Sequence, residues 1–254
     1  MTDILLIDMG NTRLKWVVAR DGDILEHSFG RGNPADFFEA FQALPGRPEH
    51  LLLSSVAGKM ATGEFVDHCA DRLAIKVNLL TSQKECAGIL SGYEDATALG
   101  VDRWLAIIGA AHCHGMPVVV MDLGTATTLD AVDSGGRHLG GLILPGPALM
   151  LESLARATAM QVPERFKIAA ELPRLTRTPG VAPARSTSSA IQEGVFAAQI
   201  GALNQFIRNV SMEMDTEPKL VLTGGAAEGI LRRLENAPVF DRWLVFKGML
   251  HYRG

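Results

Sequence analysis

The sequence predicts an α/β protein made of two related domains that face one another across a cleft. Three observations carry this. Short apolar runs bounded by turn residues alternate with stretches of helical period. With 254 residues, 47% of them apolar, the chain has enough material for one large or two small cores. One pattern also recurs: Ile7-Asp8-Met9-Gly10-Asn11-Thr12 is matched by Met121-Asp122-Leu123-Gly124-Thr125-Ala126, each at the end of a buried strand and each followed by another strand. The boundary falls near residues 114–117, which gives domains 1–115 and 116–254.

In the first half, Asp3 to Asp8, Leu14 to Ala19 and Ile24 to Phe29 read as a β-meander with a turn at Asp21-Gly22. Asn33 as N-cap and Pro34 as first residue open a helix whose apolar stripe is Phe37, Phe38, Phe41 and Leu44. Leu51 to Val56 is a strand, Gly63 to Leu73 a helix and Ile75 to Leu80 a strand. A loop with Gly92-Tyr93 leads into a helix from Gly100 to Cys113. The second half repeats the theme, with strands at Pro117 to Asp122, Thr127 to Val132 and His138 to Leu144, then a helix from Ala148 to Ala157. Residues 159–185, rich in Pro, Arg and Thr, read as an excursion loop. A long helix from Ser186 to Met214 carries Ile191, Val195, Ala198, Ala202, Phe206 and Val210 on one face. A strand at Leu220 to Leu222, a helix at Ala226 to Leu234 and a last strand at Val239 to Val245 complete the reading.

Bulk properties exclude several classes. A net charge of −4 gives no general attraction for nucleic acid or anionic lipid. No run approaches the roughly 18 apolar residues that span a bilayer. The start, Met1-Thr2-Asp3 and the short run Ile4 to Ile7, lacks the basic and long apolar regions of a signal peptide. Three widely spaced cysteines, Cys69, Cys86 and Cys113, are an odd number and suit reduced thiols of a cytoplasmic protein. His112-Cys113-His114 is the one metal-like cluster in the sequence; neighbours on a helix point in different directions, so it reads as a polar helix end.

The chemistry lies in the repeated hairpins. In strand–Asp-x-Gly–hydroxyl–strand, glycine lets the chain turn sharply and lets phosphate approach main-chain N–H groups. Thr and Asn add donors, and an Asp at the strand end can hold a cation. One such hairpin is a common turn; two at equivalent places argue for a phosphate site. Leu222-Thr223-Gly224-Gly225-Ala226-Ala227-Glu228-Gly229 adds a glycine pair between strand and helix, where a ligand can lie on the backbone. No P-loop, dinucleotide fingerprint or protein-kinase motif set is present in the sequence.

Five segments together resemble the type III pantothenate kinases of the actin, hexokinase and Hsp70 superfamily. They are Asp8-Met9-Gly10-Asn11-Thr12-Arg13-Leu14-Lys15, Leu99-Gly100-Val101-Asp102-Arg103, Asp122 to Thr128, Gly140-Gly141-x-Ile143-x-Pro145-Gly146 and Ser186-Thr187-x-x-Ala190-Ile191. The resemblance implies two ribonuclease-H-like (actin-like ATPase) domains with nucleotide in their cleft, phosphorylating pantothenate with ATP and Mg²⁺. It also implies a homodimer. Asp8 to Lys15 and Thr125 would contact ATP, and Tyr93, Gly100, Val101, Asp102, Arg103 and Thr187 the substrate. Asp102 would be the catalytic base, and Asp122 would hold a monovalent cation, K⁺ or NH₄⁺. The chain departs from the family at Asp95-Ala96, where Asn-Pro is frequent.

An Asp aligned on the attacking hydroxyl suits phosphoryl transfer, whose loose transition state asks mainly for alignment and charge neutralisation. Arg103 has the planar fork that a carboxylate such as pantothenate's calls for. Read alone, Asp102-Arg103 is equally an ordinary helix start, and Thr187 part of a Ser/Thr-rich cap. Another kinase or polyphosphate hydrolase of this fold, and a non-catalytic nucleotide-binding regulator, remain as alternatives at this stage.

Overall fold

The computed structural model describes residues 3–46, 48–73, 75–157, 182–234 and 238–252. The chain forms two units, Met1–Gly109 with Leu244–Gly254, and Ala110–Trp243.

The first unit is built on β1 (Asp3–Met9), which buries Leu5, Ile7 and Met9 in one core and Leu6 on the opposite face. Burial on both faces explains the unbroken apolar run there. β2 (Leu14–Arg20) and β3 (Asp23–Gly32) follow antiparallel. Asn33 caps α1 (Pro34–Phe41): its side chain accepts the N–H groups of Ala35 and Asp36, and Asp36 Oδ2 accepts the Asn33 N–H at 2.7 Å. β4 (His50–Ser55), α2 (Lys59–Leu73) and β5 (Lys76–Leu79) complete a sheet ordered β3-β2-β1-β4-β5, with β4 and β5 parallel to β1. Phe37 is wholly buried, with the rings of Trp16, Phe38, Phe41 and Phe65 centred 5.2 to 6.0 Å away. The short pair β6 (Glu85–Cys86) and β7 (Ile89–Leu90) and a 3-10 turn at Ala96–Ala98 lead to α3 (Val101–His114).

The second unit repeats this plan. β8 (Val118–Leu123), β9 (Ala126–Val132) and β10 (His138–Pro145) are antiparallel neighbours, followed by α4 (Pro147–Ala157) and α5 (Thr187–Met214). β11 (Lys219–Thr223), α6 (Ala227–Leu231) and β12 (Val239–Phe240) give the order β10-β9-β8-β11-β12, with β11 parallel to both β8 and β12. Position by position this is the sheet of the first unit, so the internal repeat read from two short segments extends to strand order and direction. α5 covers the face of β8 and β9 that carries Val119, Met121, Leu123, Leu129 and Ala131.

Two readings change. The buried face of α5 is Gln192, Val195, Phe196, Gln199, Ile200, Leu203, Phe206 and Val210, while Ala198 is exposed. The larger Phe196, Ile200 and Leu203 bury more apolar area than the alanines, and they turn the helix towards themselves. The last expected strand stops at Phe240, and Leu244–His251 is a helix, α7. The segment is too short and too uniformly apolar to reveal a period, and Leu244, Val245, Phe246 and Met249 are all buried. A Cβ on Gly109 would run into Leu244 O, and one on Gly248 into Leu105 O, so α7 lies directly against α3 in the first unit. Most of the expected excursion loop, residues 158–181, lies outside the described residues.

Truncating Phe37 to Ala removes the centre of the aromatic cluster. It should lower unfolding free energy by about 3–5 kcal/mol, read by urea denaturation, whereas Asn33→Ala should cost about 1 kcal/mol through the cap alone.

Candidate active site

In the first unit, Asp8 stands near the end of β1, where the register sets it beside Lys15 of β2 and Ser54 of β4. Lys15 Nζ donates to Asp8 Oδ2 at 3.3 Å, and Ser54 Oγ donates to Asp8 Oδ1 at 3.3 Å. The carboxylate is buried, so partners on both sides matter more than they would in water. The turn closes through Gly10 N–H to Arg13 O at 3.0 Å. Met9 and Leu14 point into the core, so within Asp8–Lys15 they can offer a ligand only main chain; Asn11, Thr12 and Arg13 are exposed.

Asp102 and Arg103 lie in the first turn of α3. Asp102 Oδ1 accepts the Arg103 N–H at 2.8 Å. A Cβ on Gly100 would come within 2.8 Å of that same oxygen, so glycine makes room for the carboxyl. Burial raises the Asp102 carboxyl above its ordinary range, and the charge of Asp8 raises it further, against the lowering effect of the Arg103 N–H and guanidinium. Asp8 and Asp102 therefore share one electrostatic neighbourhood. Arg103 is buried; its Nη1 donates to Tyr93 Oη at 2.9 Å, and its guanidinium lies 5.7 Å from the Tyr93 ring centre. The Tyr93 loop is braced from below, with Lys84 Nζ donating to Ser91 O at 3.2 Å and Tyr93 O at 3.4 Å. Asp95, at the departure from the family pattern, caps the 3-10 turn by accepting Thr97 N–H at 2.9 Å. Asn accepts a turn N–H in the same way, so the loop keeps a cap without Asn-Pro.

In the second unit, Asp122 stands near the end of β8, between Thr128 of β9 and Thr223 of β11. Gly124 N–H closes the hairpin on Ala126 O at 3.0 Å, leaving Thr125 exposed at its tip. Two further segments converge on it. Gly224, at φ +92°, passes so close to Asp122 Oδ1 and the Leu123 backbone that a Cβ has no room. Gly146 donates to Thr125 O at 3.0 Å and is pressed against Gly124 O and Thr125 O. The glycine pair after β11 thus sits at the second hairpin. Thr187 is the exposed first residue of α5, and the cap is its neighbour Ser186, which accepts Ser189 N–H at 3.2 Å.

Ser54, Lys84 and the contact of Gly146 with Thr125 were not legible beforehand. Each depends on strand pairing or loop return between residues far apart in sequence, and no local pattern marks them. His114 at the end of α3 pairs with Asp241 at 2.8 Å. Among the described residues no three His, Cys, Asp or Glu side chains group as a metal cage. A divalent ion carried on nucleotide phosphates keeps its waters and takes only one or two carboxylates, and Asp8, buried near the end of β1, is a carboxylate of that type.

A doubled mixed sheet whose central strands each lead into Asp-x-Gly gives the chain the actin-like ATPase fold. The activator of 2-hydroxyisocaproyl-CoA dehydratase from Clostridium difficile, with bound ADPNP, has this fold at a TM-score of 0.53 and 12% identity, over 99% of this chain and 92% of that one. The sequence narrows the class: residues 4–209 match the type III pantothenate kinase family, and the chain belongs to it. The type III pantothenate kinase of Janthinobacterium sp. (strain Marseille) is 37% identical over 251 residues, 91% of this chain and 90% of that one. That of Azoarcus sp. (strain BH72) is 35% identical over 226 residues, 88% and 80% of the two chains.

A raised acid has a definite sign for stability. Its folded form prefers the proton, so its contribution is fully present below the ordinary value of 3.8 and is lost as pH rises through the raised one. At neutral pH ionised Asp102 opposes folding. Asp102→Asn should therefore raise Tm, or leave it unchanged, at pH 7; a clear fall would mean that the carboxylate gains more from its partners than it loses by burial.

Proposed function

We propose that this protein transfers the γ-phosphoryl group of ATP to the hydroxyl of pantothenate, giving ADP and 4′-phosphopantothenate, the first step of coenzyme A synthesis. The observation that carries the reading is Asp102, a carboxyl raised by burial and by Asp8 at the start of α3, beside an Arg103 held by Tyr93. Asp102 orients the attacking hydroxyl and takes its proton. A carboxylate raised above its free value is a better match to that task at neutral pH. Arg103 forks onto the pantothenate carboxylate, with Tyr93, Gly100, Val101 and Thr187 completing the substrate contacts. The Asp8–Lys15 hairpin and Thr125 contact ATP through main-chain N–H groups and hydroxyls.

The divalent ion accompanying ATP supplies charge neutralisation, and Asp8 is the carboxylate that would face it. Asp122 would hold a monovalent cation, K⁺ or NH₄⁺. Its carboxyl at the end of β8, with hydroxyl residues Thr128 and Thr223 on the flanking strands, gives that ion oxygen donors. A cytoplasmic homodimer fits the family resemblance, and Leu142 and Ile143 on the sheet-edge strand β10, with Leu149 of α4, offer exposed apolar surface for a second copy.

A coupled ADP-release assay tests the whole reading: ADP should appear only when pantothenate is present. Asp102→Asn should lower kcat by about 10²- to 10⁴-fold with little change in the KM for ATP; near-normal turnover in a folded variant would reduce Asp102 to a helix-start residue. The acid limb of the kcat/KM profile should lie above the ordinary Asp value of 3.8, because the base is lost as pH falls through its raised one. Replacing K⁺ by Na⁺ should lower the rate, and Asp122→Asn should flatten that difference; equal rates in the two salts would remove the cation site.

A further inference from the structure

Gln199 stands in the middle of the apolar face of α5, between Phe196, Ile200 and Leu203, and is wholly buried. Its Nε2 donates to Pro145 O at 2.9 Å and lies 3.5 Å from Met150 Sδ. The carbonyl partner requires a donor, which settles the orientation of the amide. The other end, Oε1, is buried with no hydrogen-bond partner among the described residues. A half-satisfied amide on a helix face built for packing destabilises the fold relative to an apolar side chain of similar volume. Such a breach of local rules is expected where a residue serves function.

The service is visible one bond further on. Pro145 O and Gly146 N–H belong to a single peptide group. In a trans peptide these two groups point in opposite directions, and the planar bond turns them together. Gln199 holds the carbonyl from α5, while the N–H of the same plane donates to Thr125 O at 3.0 Å. Pro145 also pairs with Ala126 across β10 and β9. Gly146 has no space for a side chain because Gly124 O and Thr125 O lie against it. The tip of the second hairpin therefore rests on a peptide plane whose rotation α5 controls.

We propose that Gln199 is a positioning residue for the phosphate hairpin Asp122–Ala126, setting Thr125 through the Pro145–Gly146 peptide. This rests on the assignment of Thr125 to ATP. The decisive variant is Gln199→Met, which keeps length and volume and removes the N–H donor. It should raise the KM for ATP about tenfold, as expected of a small misplacement of a binding group, leave the KM for pantothenate unchanged, and leave Tm unchanged or higher. A residue that served packing alone, whose place Met fills equally well, would give no ATP-selective effect, and that outcome overturns the proposal; Leu203→Ala on the same helix, a loss of packing, should lower Tm without moving the KM for ATP. Thr125→Ala runs in parallel. If it raises the KM for ATP and Gln199→Met does not, the proposal is wrong and the ATP assignment stands. If neither raises it, the assignment of Thr125 fails and the proposal falls with it. Should Gln199→Met not fold, Gln199→Asn draws the donor back by one methylene and must give the same ATP-selective rise; an unchanged KM there also overturns the proposal.

Discussion

Negative charge at the ends of buried strands is the constraint around which this molecule is arranged. Asp8 and Asp122 occupy the same place in two copies of one sheet, and each is shielded differently. Asp8 is met by Lys15 and Ser54 from the flanking strands. Asp122 has its Oδ1 against Gly224, where any side chain would collide with it. Asp102 lies in the field of Asp8 within the first unit, and its carboxyl is raised first by burial and further by that charge. The glycines at positions 100, 146 and 224, the strand registers and the braces behind Tyr93 all follow from keeping oxygen atoms close together without losing the fold.

The same arrangement explains why polar side chains occur so deep in the structure. An ionised group out of water needs several partners, and those partners must themselves be held. Lys84 braces the carbonyls of the Tyr93 loop, Tyr93 accepts from Arg103, and Arg103 sits beside Asp102. Each step is a directional contact between residues of the first unit. The surroundings of one carboxyl thus draw on residues well before it in the chain.

Much of this was legible in the sequence because it is local. Asn33-Pro34 starts a helix by a capping mechanism that three residues define. Asp-x-Gly at the end of an apolar run forces a hairpin, and its repetition exposed the doubled fold before any strand order was known. What stayed hidden depends on contacts at long separation. Ser54 beside Asp8 requires the parallel pairing of β1 with β4. The Gln199 amide looked like one more polar position on a helix with apolar residues on several sides. Val239–Val245 read as a strand because β-branched and aromatic residues favour one, yet Leu244 onward is helical, since burial against α3 overrides propensity in so short a segment.

That last helix has a bearing on how the protein is born. The second unit is continuous, Ala110–Trp243, whereas the first is made of Met1–Gly109 closed by Leu244–Gly254. A chain growing on the ribosome exposes β1 and the underside of α3 long before the segment that covers them exists. The usual order has the N-terminal domain maturing first during synthesis, yet here the first unit is completed by the last-made segment. The later-made unit can settle as soon as it emerges, while the earlier one waits, with apolar surface uncovered, for Leu244–His251 to clear the exit tunnel. For that interval the face of β1 and α3 that Leu244–His251 covers in the finished fold stays open.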